Sequence, residues 1–450
     1  MSNKKTILFI IPPASGHLNP CVSVAAEMNK REDIHVIIMG SKSFQNLIEK
    51  SNSEYIEYAD PDFNDISKSV NEDHTPFVTM KKMMVAADKV FPQILKICEE
   101  RKPVAIFYDF FSIHVKYLYN YIENNKSSIK FPVPKEIFVS SSFAPAKGIF
   151  PPEQMINSLM SKLDPNDEIF QLQRNLNSKF GLNYEFSLEK IFTYSDGLNI
   201  CFLFEEFQPK AELLKSIYHF VGPCISDQVR SFSTTNGKLK EYLDLFQTVN
   251  PNYNNSKSSK GDLKLIYVSL GTIFNFNDKL FDQIIQSFHN LEKNNGITID
   301  DIRVIISLGQ KTYDLFQNKI KNESYHVHEN ILLLPTAPQV DILKRASLFI
   351  THAGMNSAIE SLKYGVPVIC LPQFADQPIV SRRLCDQLNL GIRLDSFSSE
   401  FSSDQLKKAV LDVLNDKKYH ENILKMAKIL ESESNNGCVN ATNLIINYIR

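Results

Sequence analysis

Short apolar runs alternate with stretches of helical periodicity along most of the first half of the chain. The apolar run Ile7–Ile11 is followed by helical spacing over Asn19–Arg31 and by a second apolar run, Ile34–Met39. Strand–helix–strand alternation predicts a parallel sheet with right-handed crossovers. Further strands of this half are predicted at Val104–Tyr108, Glu136–Ser140, Gly197–Phe204 and Tyr218–Val221, and a mostly helical, irregular stretch at 150–189.

A polar interval separates this alternation from a second one. After Gly222 and Pro223 the chain turns polar, with a helix predicted at Lys238–Phe246 and a flexible loop at Pro251–Lys260. The later strands are predicted at Lys264–Val268, Arg303–Ser307, Ile331–Leu334, Leu348–Ile350 and Val366–Leu371, and helices at Leu280–Leu291 and Asn356–Tyr364. We therefore expect an N-terminal α/β domain over residues 1–222, a linker over 223–262 and a C-terminal α/β domain over 263–450. The last helix is a candidate to pack back on the first domain.

Composition places the chain among ordinary globular proteins. It has 450 residues, 43% of them apolar and 22% charged, which gives each of two or three domains material for a core. The formal net charge is −2, and Lys and Arg are scattered instead of forming a basic track. The charge pattern therefore argues against a nucleic acid or a membrane surface as the partner.

The seven cysteines predict no metal site and no disulfide framework. Their number is odd and no two have the CxxC spacing, so reduced thiols in a cytoplasmic protein fit best. The first apolar run is too short for a secretory signal, since Pro12 and Pro13 end it. No segment approaches the roughly 18 apolar residues of a transmembrane helix, so no membrane anchor is expected.

Polar and small residues follow three of the predicted strands of the second half. Parallel α/β sheets bind ligands at the carboxyl ends of their strands. Ser269 and Thr272 offer hydroxyls after one strand, with Gly271 allowing close approach to the backbone. A second strand leads into 334–339, and a third leads into 351–360.

The stretch 351–360 combines a histidine, an amide, a hydroxyl and a carboxylate at a strand-to-helix turn. With a helix starting near Gly354, Asn356 and Ser357 lie in its first turn, where backbone N–H groups favour an anion. His352 precedes that turn and Glu360 shares a helix face with Asn356. A phosphate beside a ribose would suit this set. Helix capping by Asn356 or Ser357 and a structural role for His352 remain alternatives.

Two residues of the first half could form an acid–base pair. His17 lies near the start of a helix, where the dipole disfavours a charged imidazole, and Pro20 suits a first helical turn. A neutral imidazole there can act as a general base. Asp109 ends an apolar strand and should point to the same sheet edge, where it could orient the ring. A structural loop histidine and a solvated turn carboxylate are the alternatives.

Residues 336–377 resemble the nucleotide-sugar-binding segment of the UDP-glycosyltransferases of glycosyltransferase family 1, especially the soluble members similar to macrolide glycosyltransferases. The matching positions are Ala337-Pro-Gln339, His352-Ala-Gly354, Asn356-Ser357, Glu360, Gly365-Val-Pro367 and Asp376-Gln377. The resemblance implies a GT-B fold, in which two Rossmann-like α/β domains face each other across a cleft. It further implies that His352, Asn356 and Ser357 hold the diphosphate. Glu360 would bind the ribose, and Asp376 and Gln377 the sugar hydroxyls.

The first half resembles the same family in shorter stretches. Ser15-Gly-His17-Leu-Asn-Pro20 resembles the loop that carries the catalytic histidine, and Tyr108-Asp109-Phe110 resembles the strand end that carries its aspartate. Ser269 and Thr272 match a further phosphate-contacting loop. The resemblance implies inverting transfer of a hexose from a UDP-sugar co-substrate, without a metal or another cofactor. Glucose is the expected hexose.

One position departs from the family pattern. The family usually has an aromatic residue, most often Trp, two positions before the Pro-Gln pair, and its ring stacks on the uracil. Thr336 stands there, and the chain contains no Trp. Because stacking contributes roughly 1–3 kcal/mol per base in nucleic-acid complexes, we expect weaker or relaxed selection of the base.

The expected acceptor is a small, largely apolar molecule with a hydroxyl. Aromatic and Met residues of the first half suit such a pocket, although core packing explains them equally well: Phe110, Phe111, Phe143, Phe150 and Met155. Two other functions remain open from the sequence. A nucleotide-sugar epimerase shares the two-domain architecture without needing the His17–Asp109 pair. The other possibility is a non-catalytic nucleotide-sugar-binding protein.

Overall fold

The computed structural model describes residues 4–61, 76–161, 164, 168–185, 187–226, 229, 237–247, 257–258, 263–272, 277–289, 291, 297–398, 401–431 and 436–450. The chain divides into two compact units. The first comprises Met1–Val229 together with Ser434–Arg450, and the second comprises Arg230–Glu433. Most of the predicted linker 223–262, including much of the loop at 251–260, lies outside the described residues.

A parallel sheet forms the centre of the first unit. Its strands are β1 (Lys5–Ile10), β2 (Ile34–Gly40), β3 (Glu54–Glu57), β4 (Ala105–Asp109), β5 (Lys135–Ser140), β6 (Leu198–Cys201) and β7 (His219–Phe220). They lie in the order β3-β2-β1-β4-β5-β6-β7, and every neighbouring pair is parallel. Strands β1 and β4 are thus neighbours, with Ile10 level with Tyr108.

Helices cover this sheet, and one of them comes from the C-terminal end of the chain. The helices of the first unit are α1 (Ser15–Met28), α2 (Gln45–Glu49), α3 (Pro76–Arg101), α4 (Ile113–Asn124), α5 (Glu153–Met160), α6 (Glu168–Phe180) and α7 (Leu188–Ile191), and the last helix of the chain is Gly437–Ile449. The apolar side chains of that last helix, among them Ile445 and Ile449, are buried in one core with α1 and β1. Asn440 ties it further, donating from Nδ2 to the carbonyl of Val221 at 3.0 Å.

The second unit repeats the plan with a six-stranded parallel sheet. A short antiparallel pair, β8 (Phe246–Gln247) and β9 (Lys257–Ser258), precedes β10 (Lys264–Ser269), β11 (Ile302–Ser307), β12 (Ile331–Leu334), β13 (Leu348–Thr351), β14 (Val368–Cys370) and β15 (Gly391–Arg393). The sheet order is β12-β11-β10-β13-β14-β15. In this order β10 lies beside β13, with Ser269 level with Thr351.

Eight α-helices accompany that sheet among the described residues of the second unit. They are α8 (Gly237–Asp244), α9 (Asp278–His289), α10 (Gln310–Lys321), α11 (Gln339–Leu343), α12 (Met355–Lys363), α13 (Gln377–Ser381), α14 (Ser403–Asn415) and α15 (Lys417–Glu431); the last helix of the chain, in the first unit, is therefore α16. A π-helical stretch, Arg382–Gln387, continues α13. Buried Ile, Leu, Val and Phe side chains of the central strands, α9 and α14 form the core.

The predicted strands are confirmed, but three features of the first half differ from the prediction. Strand Glu54–Glu57 was not predicted because it lacks a buried apolar run. The long helix Pro76–Arg101 was not predicted either. The helix predicted at Asn19–Arg31 begins at Ser15, so Pro20 lies inside it and not in its first turn. A turn precedes the helix, in which the N–H of Ala14 donates to the carbonyl of Pro12 at 2.7 Å.

Candidate active site

The predicted site residues follow the strands at which each sheet reverses its order. In the first sheet this switch lies between β1 and β4, and in the second between β10 and β13. Ligands of open α/β sheets bind at the carboxyl ends of the strands at such a point. His17 and Asp109 follow or end the first pair of strands, and Ser269 and His352 end or follow the second pair.

His17 lies in the first turn of α1. The helix starts with extended backbone at Ala14 and without a side-chain cap, and His17 N–H donates to the Ala14 carbonyl at 3.0 Å. The N-terminal end of a helix carries partial positive charge, which opposes protonation of a histidine placed there. The histidine is therefore inside the helix, slightly further along than the sequence reading placed it.

The structure brings His17 and Asp109 into direct contact. Nδ1 of His17 lies 3.0 Å from Oδ2 of Asp109. The aspartate side chain is fully buried, whereas one fifth of the histidine side chain is exposed. A carboxylate that holds one ring nitrogen from within the protein leaves the other nitrogen to act on a substrate.

A third residue, Ser141, completes this cluster and was missed by sequence reasoning. Its Oγ lies 2.9 Å from Oδ2 of Asp109 and 3.0 Å from Nδ1 of His17. The other carboxylate oxygen, Oδ1, accepts the N–H of Phe111 at 3.0 Å. The run of three serines at 140–142, directly after the apolar part of a predicted strand, is the signal that could have found it.

Apolar rings pack against the histidine. The ring centre of His17 lies 5.6 Å from that of Phe110 and 5.4 Å from that of Phe111, both in edge-on geometry. Phe192 packs against these two rings and against Phe150. A titratable neighbour, Cys21, is uncharged, because burial, reinforced by the nearby Asp109 charge, raises the pKa of its thiol well above the usual range.

In the second unit, His352 is enclosed by two glycines. A Cβ added to Gly354 would stand 2.5 Å from Nε2 of His352, and one added to Gly271 would stand 2.7 Å from the same atom. Gly271 also has a φ of +89°, a conformation that glycine adopts without strain. Both positions thus require glycine for the imidazole to lie where it does.

The imidazole of His352 is neutral in this environment. Burial lowers the pKa of His352 to about 4, opposed by a contact with the backbone of Ser269. Among the described residues, no hydrogen-bond partner reaches its buried Nδ1. A neutral imidazole with an uncommitted nitrogen can donate to, or accept from, a bound ligand.

Helix α12 begins at the predicted place, with an N-terminal end suited to an anion. Its N-cap is Gly354, which offers no side-chain cap, and the residue before it, Ala353, has the unusual φ of +62°. Asn356 and Ser357 occupy the first turn, as predicted, but neither is the N-cap residue. Backbone N–H groups at such a start are a ready anion site.

Gln339 contacts two other residues of the predicted donor segment. Its Nε2 donates to Oε2 of Glu360 at 2.6 Å and lies 3.2 Å from Oγ of Ser357. Glu360 is 1% exposed, so this amide is an important partner for a buried carboxylate. Ala337 is half-buried just before α11, and Thr336 beside it is exposed.

The remaining predicted residues lie at the ends of β10 and β14. Ser269 is buried and level with Ser307 and Thr351 of the neighbouring strands, while Thr272 is exposed. Asp376 is half-buried at the N-cap of α13. Oε1 of Gln377 accepts the N–H groups of Gln373 at 2.9 Å and of Phe374 at 3.2 Å, so this side chain shapes the loop in which it lies.

Comparison with known proteins connects this geometry to a family. Residues 303–436 match the family model described as "UDP-glucoronosyl and UDP-glucosyl transferase". The NDP-glycosyltransferase YjiC of Bacillus licheniformis is 28% identical over 436 residues, which cover 95% of this chain and 94% of that protein. The chain belongs to the UDP-glycosyltransferases. It is a glycosyltransferase of family 1 that uses a nucleotide sugar, which sets aside the epimerase and the non-catalytic binding protein.

Solved structures show that this UDP-glycosyltransferase has the GT-B fold. The glycotransferase of kitacinnamycin superposes with a TM-score of 0.73 at 18% identity, over 100% of each chain. Os79 of O. sativa, solved in complex with UDP, superposes with a TM-score of 0.68 at 16% identity, over 99% of this chain and 100% of that one. At these identities the likeness shows the fold alone.

The described helices and side chains also bear on membrane insertion and metal binding. None of the helices in the described part of the chain combines the length and apolar character that a bilayer crossing requires. Within the same described residues, no group of three or more His, Cys, Asp or Glu side chains is arranged to hold a metal ion. Transfer without a metal and a cytoplasmic location stay predictions from the sequence.

Proposed function

We propose that this glycosyltransferase moves glucose from UDP-glucose to a hydroxyl of a small apolar acceptor with inversion at the anomeric carbon, and that His17 is the general base. The observation that carries the proposal is the 3.0 Å contact between His17 Nδ1 and the buried Asp109 carboxylate. A buried carboxylate held against one ring nitrogen is the arrangement that prepares an imidazole to take a proton.

The reaction follows from the roles of these two side chains. Nε2 of His17 takes the proton of the acceptor hydroxyl while that oxygen bonds to the anomeric carbon. The bond from that carbon to the diphosphate oxygen breaks, and UDP leaves with the electron pair. Asp109 stabilises the imidazolium while it exists. Attack from the side opposite the leaving group inverts the configuration.

The second unit supplies the groups that would bind the donor. The neutral His352, the start of α12 with Asn356 and Ser357, and the hydroxyl of Ser269 would hold the diphosphate and stabilise charge on the leaving oxygen. In the same proposal Glu360 binds the ribose, and Asp376 and Gln377 contact the sugar. Ala337, Gln339, Gly271, Thr272 and Gly354 shape the donor site. These donors require no metal ion to meet the phosphate charge.

The surroundings of His17 support an apolar acceptor. Phe110, Phe111 and Phe192 lie within ring-contact distance of one another, two of them against the histidine. Apolar walls with a few placed polar groups are typical of small-molecule sites. A flat hydroxylated molecule such as a phenol can pack on these rings while its hydroxyl reaches the imidazole.

The decisive experiment replaces His17 by Ala and measures transfer and donor binding separately. Transfer of labelled glucose from UDP-glucose to a panel of phenols and sterols should fall by about 10²–10⁴-fold, the usual contribution of general-base catalysis. Binding of UDP-glucose, measured as a thermal shift, should persist because the proposed donor groups lie in the second unit. Full transfer activity in His17→Ala would overturn the proposal.

The chain offers a matched control for that variant. His35 also contacts a carboxylate, with Nε2 lying 2.8 Å from Oε2 of Glu54, but on a half-exposed part of β2 and β3. His35→Ala removes the same kind of pair and should leave transfer unchanged. Extending the thermal-shift series to other nucleoside diphosphates tests whether Thr336 relaxes the choice of base, as the missing ring predicts.

A further inference from the structure

We propose that Ser141 is a positioning residue that fixes the Asp109 carboxylate and thereby orients His17. The inference rests on the proposed function, in which His17 is the general base. It starts from three mutual distances: Ser141 Oγ to Asp109 Oδ2 is 2.9 Å, Ser141 Oγ to His17 Nδ1 is 3.0 Å, and His17 Nδ1 to Asp109 Oδ2 is 3.0 Å. Three polar atoms at these separations compete for two protons.

The chemistry of the three groups decides where those protons lie. An ionised carboxylate oxygen is a stronger acceptor than a neutral imidazole nitrogen or a hydroxyl. The Ser141 hydroxyl therefore donates to Asp109 Oδ2, and the Nδ1–H of His17 donates to the same oxygen. This arrangement leaves the lone pair on Nε2, the nitrogen that takes the acceptor's proton in the proposed reaction.

The same arrangement holds both oxygens of the carboxylate. Oδ1 accepts the N–H of Phe111, just beyond the end of β4, and Oδ2 accepts the hydroxyl of Ser141, just beyond the end of β5. The two donors come from adjacent strand ends, so rotating the carboxylate would break at least one bond. Ser141 itself is only 7% exposed. The preceding Ser140 anchors the turn by donating towards the carbonyls of Ser142 and Phe143.

Three titratable side chains on the helices and strands around the cluster, Cys21, Tyr108 and His114, are neutral or bonded elsewhere. On α1, burial and the Asp109 charge raise the pKa of Cys21, which keeps the thiol protonated, and its Sγ donates to the carbonyl of His17. On β4, Tyr108 donates to Glu136 of β5 at 2.8 Å. On α4, burial lowers the pKa of His114 to about 4. A change in the titration of His17 on removing Ser141 is therefore attributable to the lost hydroxyl.

Removing the Ser141 hydroxyl should shift the titration of His17 in a defined direction. The hydrogen bond from the Ser141 hydroxyl to the Asp109 carboxylate is strongest while His17 is neutral, because the His17–Asp109 pair then carries a net negative charge. Without it, that basic state is less stable relative to the protonated one. The ring of His17 should then take up its proton at higher pH, by about half a unit to one unit for one bond of this kind.

The test is a ¹⁵N NMR titration of histidine-labelled protein, with the His17 signals identified from His17→Gln. Ser141→Ala should move the midpoint of the His17 titration upwards, and the acid limb of transfer activity should move with it. Ser141→Thr, which keeps the hydroxyl, should restore both. Ser140→Ala, which removes a neighbouring buried hydroxyl bonded to carbonyls, should leave both midpoints unchanged. Ser141→Cys, a weak donor of similar size, serves as a second variant if Ser141→Ala does not fold.

The outcomes separate this inference from the proposed function. An unchanged or lowered midpoint in Ser141→Ala or Ser141→Cys, with His17→Ala inactive, would overturn the role of Ser141 alone. A merely structural role for Ser141 would lower the yield of folded enzyme without moving either midpoint. Activity retained in His17→Ala would overturn the proposed function, and the titration of His17 would still report whether Ser141 tunes the ring.

Discussion

The two units build their polar sites at the same place in similar sheets but with different chemistry. The first unit holds a buried carboxyl group, that of Asp109, against His17. The second unit presents a neutral imidazole, a helix start without a side-chain cap and backbone that approaches closely at two glycines. The first site thus suits the transfer of a proton, and the second suits the binding of an anion.

This difference fits the role that we propose for each site. A general base needs a partner that stabilises positive charge for the short time that it exists, which only a nearby carboxylate supplies well. A diphosphate already carries its charge when it binds, so a site made of N–H donors and helix dipole holds it without introducing fixed cations. A substitution in one site should therefore leave the other site intact.

The largest expected effect is the loss of transfer activity on changing Asp109, the partner of His17 in the first unit. Asp109→Asn keeps the shape of the side chain but removes the charge that stabilises the imidazolium, and its amide can donate to His17 and select the wrong tautomer. Transfer should fall by about 10³-fold, while the thermal shift produced by UDP-glucose should stay as in the wild type. A weakened thermal shift would show that the two sites are not independent.

Changing Gly354 in the second unit should weaken the binding of UDP. In Gly354→Ala the added methyl would stand 2.5 Å from Nε2 of His352, and the φ of −62° at this position makes the clash the dominant effect. The added methyl should displace the imidazole from its place in the proposed donor site, so UDP should bind about ten- to a hundredfold more weakly by calorimetry, which corresponds to roughly 1–3 kcal/mol. Gly237→Ala, with no atom within 4 Å of the added carbon, is the matched control in the same unit. Wild-type affinity for UDP in Gly354→Ala would contradict the placement of His352 in the donor site.

The smallest expected effect is the acid sensitivity that both units share. Burial lowers the pKa of His114 in the first unit and of His352 in the second from 6.5 to about 4. Between these values the unfolded chain binds more protons than the folded one, so the free energy of unfolding should fall as the pH falls from about 6.5 to about 4. His114→Asn should flatten this dependence, by on the order of 1 kcal/mol at a pH of about 5.

Denaturant unfolding at a series of pH values checks this last prediction. His219→Asn changes an exposed histidine of the first unit and should leave the pH dependence as it is. Equal slopes in the wild type and His114→Asn would mean that the buried imidazole takes up its proton without unfolding the unit.

Much of the second site was predictable because its parts are local in the sequence. The residues from His352 to Glu360 lie on one turn and the helix that follows it, and the helix begins at Met355, close to the position expected from the pattern. The contact between Gln339 and Glu360 was not predicted, because it joins α11 to α12 and depends on how these helices pack. The enclosure of His352 by Gly271 depends in the same way on the pairing of β10 with β13.

The first site was predictable only in part. The ends of two apolar strands indicated His17 and Asp109, but nothing local linked either of them to Ser141, which is 124 residues from His17 in the chain. Three consecutive serines after a strand are common in turns, so the run alone did not single out the middle one. The helix boundary near Pro20 was wrong because proline is tolerated near a helix start and does not mark its first residue.

The alternation of strands and helices, the two α/β halves and the residues at each strand end could be predicted from the amino-acid pattern, because these features depend on periodicity and turns within short segments. Which strand ends are neighbours is known only from the folded chain. Buried strands of a parallel sheet have nearly the same apolar pattern, and that pattern does not specify the neighbouring strand. The order of the first sheet places β1, β4 and β5 side by side, and only this places His17, Asp109 and Ser141 within hydrogen-bonding distance of one another.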